Sequence, residues 1–454
     1  MNEPQRKADV CVIGAGLAGL IAADQLLAVG LNVDLFEAQA TVGGRVKDTV
    51  CADNVAVELG ANWFSNQQPF IKAQIERFGL ETVETHNDGN HLIWWDGERR
   101  SFRGAIPSLG PLKNVDIIQG MIRFDMAMRR LKGKEPWNET LTEYDHISFG
   151  QWIDATLYTR MGKEFFRMVS EMVFGVESHM VSFLYVLYYS SRSVSLSSLI
   201  SVEQGHQELR FRHGPGDLCR HIAERIGQDR IFLNTPVRSI TVADGYVEVE
   251  TASSRGRYRA ALCAMSPSAV RQILFSPPRA TSRERFLQAL PMGRVIKVQV
   301  VYDRPYWLEK GLSGQVMSNQ YPLSYTIDNS PADRQRGVLA AFVCTSQASK
   351  FMDPRTDREA LVAGAINEMF GCEFPKPQQI LIEDWAANEW IGGSYGAYFP
   401  PGVMSRMGAL MREQDPPIYW CGAEYAQAHP CQMEGALESG IRSAKSISAA
   451  LTGV

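Results

Sequence analysis

Apolar positions divide the chain into regions of different period. Asp9–Ile13 is a short run of buried-strand type. Leu17–Val29 is helix-forming and stops at Gly30, and Val33–Phe36 predicts a second strand ending at Glu37. The chain therefore opens as a complete βαβ unit. From about residue 105 to 200 the spacing is helical. Met121-Ile122-Arg123-Phe124 and Phe165-Phe166-Arg167-Met168-Val169 carry Met and aromatic side chains that read as core packing. From Ile231 the period becomes two. Val247-Glu248-Val249-Glu250 alternates behind Gly245-Tyr246, which reads as a hairpin end. Val295–Val301 alternates again, with Ile296, Val298 and Val300 on one face and Lys297 and Gln299 on the other. Periodicity alone places Lys297 in solvent. Trp385–Pro401, rich in Gly, Pro and aromatics, predicts a structured loop, and Glu434–Ala450 a final helix. There is no internal repeat or low-complexity tract.

Composition narrows the class. A length of 454 residues predicts two or three domains or one large composite unit. Apolar usage of 45% and charged usage of 21% exclude disorder, collagen and coiled coil. Lys plus Arg total 46 against 50 for Asp plus Glu, so no excess of positive charge points to nucleic acid. Eight cysteines without a CxxC pair support neither a disulfide scaffold nor a zinc ribbon. No metal is expected: His206, His213 and His429 read as isolated, with structural or surface roles. Met1–Asp9 is polar, and Val10–Val33 is broken by four glycines and Asp24, which argues against a signal peptide and a membrane span. The expectation is a cytoplasmic protein with reduced thiols, in which the sequon Asn138-Glu139-Thr140 is accidental.

The chemistry begins at Gly14-x-Gly16-x-x-Gly19, which follows the first strand and opens the helix, with Glu37 at the end of the second strand. Gly14 suits the tight turn, Gly16 lets backbone approach a pyrophosphate, and Gly19 permits close helix–strand contact. Glu37 can bind ribose hydroxyls, and the helix N-terminus supplies amides and positive dipole. Gly43-Gly44-Arg45 lets a second stretch of backbone pass the cofactor, with a guanidinium for its phosphates. Glu58-Leu59-Gly60-Ala61-Asn62-Trp63 follows.

With these residues the chain resembles the flavin-containing amine oxidases, whose near members include monoamine and polyamine oxidases. Further landmarks run almost to the C-terminus. They are Gln207–Phe211 with Gly214-Pro215-Gly216, Pro236-Val237, and Pro291–Lys297. Trp385, Gly392–Tyr395, Phe399–Gly402, Cys421–Glu424, Met433–Ala436 and Ser439-Gly440 follow. The resemblance implies an α/β fold: a Rossmann-type, glutathione-reductase-like FAD domain interleaved with an α+β substrate domain. The FAD domain is expected at 6–82, 208–290 and 388–454, and the substrate domain at 83–207 and 291–387. FAD contacts are implied at Gly14, Gly16, Gly19, Glu37, Gly43, Gly44, Arg45, Gly60, Ala61, Asn62, Val237, Trp385, Ser394, Gly422, Glu424, Gln432 and Met433. Lys297 takes the place of the family lysine that holds a water at the flavin N5. Tyr395 matches one of the two tyrosines that flank a substrate amine. Ile200 and Gln207 fall at gate and cavity positions. Trp63, Phe174 and Leu199 are further pocket candidates, with core packing as the competing reading.

Two departures matter. Ser394 stands where monoamine oxidases carry the cysteine that bonds flavin; a hydroxyl is the weaker nucleophile, so FAD is expected to be non-covalent. Gln432 replaces the second tyrosine, which opens one side of the aromatic sandwich and suits a substrate with an extra polar group. The arginine by which some L-amino-acid oxidases bind carboxylate is not seen. The activity implied is oxidation of a small, largely apolar amine to an imine, which water hydrolyses to aldehyde or ketone, while O2 becomes H2O2. Lys297, Tyr395 and Gln432 are the expected catalytic group. A desaturase or dehydrogenase with another electron acceptor, and a flavoprotein scaffold with structural FAD, stay open as alternatives. No membrane partner is expected; a homodimer is compatible with the sequence, which does not set the oligomeric state.

Overall fold

The computed structural model describes residues 8–51, 55–104, 107 and 111–453. Residues 6 and 7, at the start of the first expected FAD segment, lie outside them. Strand β1 (Val10–Ile13), helix α1 (Leu17–Ala28) and strand β2 (Val33–Phe36) form the expected βαβ opening. Later strands β3 (Ile231–Phe232), β4 (Ala260–Cys263), β5 (Ile296–Tyr302) and β6 (Ile418–Trp420) precede the last helix, α2 (Met433–Thr452). Five of these strands make one parallel sheet in the order β3-β2-β1-β4-β6. A parallel sheet buried on both faces needs continuous apolar strands, and β1 and β4 are fully buried. At the tip of β1, Gly14 turns with φ +102°. A Cβ on Gly19 would stand 1.9 Å from the Gly14 carbonyl oxygen, so only glycine lets α1 lie this close. Helix α2 packs along α1, where a Cβ on Gly440 would sit 2.4 Å from the Ala18 carbonyl.

A four-stranded sheet lies beside this unit, in the order 255–258, 246–251, 237–243, 274–276. Val247 and Val249 are buried there, as their alternation predicts. A seven-stranded sheet runs 379–384, β5, 337–343, 325–328, 312–318, 90–95, 98–102. The helical stretch contains Pro111–Arg129, Phe149–Thr156, Arg160–Val169 and Phe183–Arg192, joined around Phe124, Phe149, Trp152, Phe166 and Phe183. Two expectations change here. Met121 and Phe124 pack against the core as expected, whereas Met168 lines a cavity besides packing. Strand β5 has no solvent face: Lys297 and Gln299 are buried along with Ile296, Val298 and Val300. Their cover is the segment 58–60, whose carbonyls accept from both side chains. Among the described residues no helix is long and apolar enough to cross a membrane.

Candidate active site

One long cavity of about 390 Å³ runs from the end of the parallel sheet to the seven-stranded sheet. At its first end the N-terminus of α1 opens at Gly14 and Gly16, and Gly43 bridges to Gly16 as parallel backbone. A Cβ on Gly16 would meet only the Gly43 carbonyl, at 3.9 Å, so the two backbones leave a cradle between them. Glu37 closes this end. Its carboxylate accepts from the amides of Ala15 at 2.7 Å and Gln39 at 2.9 Å, while burial pushes its pKa up. Gly44, Pro236 and Val237 line the same stretch.

In the middle, Arg45 donates to both carboxylate oxygens of Glu424, at 2.7 and 2.9 Å, and to the Tyr395 carbonyl at 2.8 Å. Burial opposes charge on Glu424, yet the guanidinium holds its carboxyl below the ordinary range. The Ser394 hydroxyl accepts from the Val295 amide at 3.0 Å and donates to the Val295 carbonyl at 2.9 Å. Gly60, Ala61, Asn62, Trp385, Gly422 and Met433 complete the wall, with Gln432 and Met433 at the amide end of α2.

Beyond lies a chamber bounded by Trp63, Leu199, Ile200, Gln207 and Tyr395. Lys297 Nζ donates to the Gly60 carbonyl at 3.0 Å and stands 5.1 Å from the Trp63 ring centroid. Burial pulls its pKa down to about 8; Glu58 opposes that shift and Arg210 adds to it. Burial also pushes the Tyr395 phenol up, so it stays protonated. Gln432 Oε1 accepts from Gln68 Nε2 at 2.9 Å, and its Nε2 donates to Ser193 Oγ at 3.1 Å.

Three expected residues do not line the cavity. Gly19 serves helix packing. Glu424 lies behind the wall, paired with Arg45. Phe174 packs edge-on to Tyr189, with ring centroids 5.1 Å apart, and so supports the wall from behind. The reading of His206 and His429 as isolated is also corrected. Both are buried, and His206 Nε2 lies 3.2 Å from His429 Nδ1. The Ser198 carbonyl can only accept, so His206 Nδ1 carries the proton and its Nε2 receives from His429. Burial, with His206 beside it, pulls His429 down to about 4. His213 is exposed.

A family model described as flavin-containing amine oxidoreductase matches residues 17–448. The chain belongs to this family. AofH of Mycobacterium tuberculosis is 30% identical over 452 residues, with 99% of each chain covered. Flavin-containing amine oxidase B of Cavia porcellus is 30% identical over 451 residues, covering 97% of this chain and 86% of that protein. Among solved structures, putrescine oxidase bound to putrescine superposes with a TM-score of 0.93 at 27% identity, covering 98% of this chain and all of that one. Cyclohexylamine oxidase from Brevibacterium oxydans IH-35A shares the fold at 24% identity, with a TM-score of 0.92.

The cofactor of an oxidoreductase of this family is FAD, and the cavity fits it. A backbone cradle at a helix N-terminus suits the pyrophosphate. Glu37 suits a ribose, and the space between Trp385, Ser394 and Met433 suits a flat ring system. Sequence reasoning missed several chamber residues, Tyr189, Tyr325 and Phe342 among them. Tyr189 and Phe342 sit in apolar runs and Tyr325 on a strand that alternates with Ser324 and Thr326, patterns that do not separate a cavity wall from a core.

Proposed function

We propose that the protein oxidises a C–N bond of a small, largely apolar amine carrying one further polar group, with O2 as electron acceptor. The observation that supports this most is the placement of Lys297, Tyr395 and Gln432 on one chamber continuous with the dinucleotide cradle. FAD, when bound, supplies the redox chemistry, taking a hydride equivalent from the α-carbon and passing its electrons to O2, with an imine and H2O2 as products.

The chain's residues select and orient the amine. An apolar wall disfavours an ammonium, and the nearby Lys297 cation disfavours a second positive charge, so the neutral nitrogen is the form favoured here. Tyr395 presents an aromatic face on one side, and Gln432 an amide on the other. The amide of Gln432, held by Gln68 and Ser193, supports a substrate with a hydroxyl or second nitrogen. Lys297, with its proton loosely held, is placed to organise water for imine hydrolysis or for the proton transfers of O2 reduction. The division of the chain into 6–82, 208–290 and 388–454 against 83–207 and 291–387 belongs to the same reading. It is supported by sheet membership: β3, β4 and β6 join the N-terminal strands, while β5 and the strands within 312–384 join those of 90–102. Peroxide formation across a panel of aliphatic, cyclic, aromatic and hydroxylated amines tests this function. Turnover is expected for compact apolar amines, and silence across the panel would reject it.

A further inference from the structure

A second cavity, of about 310 Å³, shares no lining residue with the first and is bounded by Glu84, His86, Arg210, Asp328, Ser330 and Arg334. Arg210 is only 5% exposed. Its Nη1 donates to the Asn329 carbonyl at 3.0 Å and to Asn329 Oδ1 at 2.9 Å, and its Nη2 donates to the Ser330 carbonyl at 2.7 Å. Its Nε–H is buried without a protein partner. Arg334 Nη2 donates to His86 Nδ1 at 2.9 Å. A guanidinium has no lone pair to offer, so His86 Nδ1 accepts and the neutral ring carries its proton on Nε2. That nitrogen is also buried without a protein partner. Burial first, then Arg334, pulls His86 toward the neutral form against the pull of Asp328 and Asp88.

The acids nearby do not answer these donors. Asp328 Oδ1 accepts from the Ser330 amide at 2.8 Å and its Oδ2 from Trp307 Nε1 at 2.7 Å. Glu84 is exposed. Asn329 ties this wall to the chamber: its Oδ1 accepts from Arg210, and its Nδ2 donates at 2.7 Å to Oε2 of Glu58, the carboxylate that favours charge on Lys297. Two buried N–H donors on one cavity, Arg210 Nε and His86 Nε2, left without an acceptor, call for the lone pairs of a bound oxyanion.

We propose that this cavity binds a small oxyanion of the carboxylate or phosphate class through Arg210 Nε–H, His86 Nε2–H and the Arg334 guanidinium. An anion there offsets the repulsion that Arg210 exerts on the Lys297 ammonium. Occupancy therefore shifts the ionisation of Lys297 to higher pH. The binding claim stands apart from the amine oxidase reading; only the coupling to Lys297 rests on it.

The test is isothermal titration of the purified holoenzyme with sodium phosphate and, separately, sodium formate, against sodium chloride at equal ionic strength. A saturable, one-to-one heat with phosphate or formate is expected, weakened about tenfold or more in His86→Leu and in Arg334→Met, each charged or donor contact being one strong hydrogen bond. No saturable heat beyond chloride, or unchanged binding in both variants, overturns the site. Turnover without added oxyanion is expected to be unchanged in the two variants. The coupling is read from the pH midpoint of flavin reoxidation, which is expected to rise with saturating anion in the native protein and to stay fixed in Arg334→Met. Binding without that rise overturns the coupling and leaves the site; binding without any amine turnover overturns the proposed activity instead.

Discussion

Arg45 and Glu424, separated by 379 positions, meet as a two-pronged ion pair with N–O distances of 2.7 and 2.9 Å. The first follows the glycine pair of the N-terminal unit; the second lies just before α2. Through the Tyr395 carbonyl, Arg45 also holds the loop that lines the chamber. Two distant segments are thereby clasped around the middle of the cavity.

Arg45→Ala leaves the buried Glu424 carboxylate without its counter-charge, with only the Ala397 amide still donating to it, at a cost of about 3–5 kcal/mol. Urea denaturation of the holoenzyme is expected to show that loss, and ultrafiltration a weaker hold on FAD. Arg45→Lys keeps the charge but loses the fork, and is expected to recover only part of both. Native-like stability in the alanine variant would remove the clasp from this account.

Lys297→Met is expected to slow flavin reoxidation in air while FAD stays bound, as read by stopped-flow absorbance. It also carries a signature in stability. The pKa of Lys297 is lowered by folding, from 10.5 to about 8. Between those values the unfolded chain holds a proton that the native chain does not, so native stability rises with pH across that window. Below about pH 8 the penalty of burying the ammonium is fully present. Relative to the Met variant, the native protein is expected to gain up to about 3 kcal/mol between pH 7 and pH 10.5. A constant difference across that range would show that the lysine is not buried as a weakened base.

Acid or heat precipitation of the native protein is expected to leave all flavin in the supernatant, since the Ser394 hydroxyl is a weaker nucleophile than a thiolate and is engaged on both sides by Val295. Yellow colour retained in the washed pellet would contradict this. Ser394→Cys, which puts a thiol at the same point, is the comparison that separates position from chemistry.

Gln432→Tyr restores an aromatic face opposite Tyr395. It also strips Gln68 Nε2 and Ser193 Oγ of their partner, a cost of about 1–3 kcal/mol. Ratios of kcat/KM are expected to move toward aromatic and plain alkyl amines and away from amines with a hydroxyl or second nitrogen. Unchanged ratios would mean that Gln432 does not face the substrate.

Much of the dinucleotide end was legible in the sequence, because a glycine fingerprint between strand and helix has few other structural uses. The chamber was legible only in part. Alternation along β5 separates two faces but does not say what covers each, and the cover for Lys297 comes from Gly60, 237 residues earlier. The meeting of His206 and His429, 223 positions apart, leaves no local pattern to read. Phe174 and Tyr189 are neighbours in space, but only Tyr189 reaches the cavity, and both look alike as aromatic residues on apolar helices.

The central claim is that bound flavin and an uncharged amine meet in the chamber in front of Lys297. Anaerobic mixing of the holoenzyme with aliphatic, cyclic, aromatic and hydroxylated amines, followed in the visible flavin band, tests it most directly. Bleaching by one or more amines, faster as the pH rises through the amine's own ionisation, and none by an alkene of the same shape, is the result expected. A band that persists with every amine, or that bleaches with the alkene alone, would contradict the account.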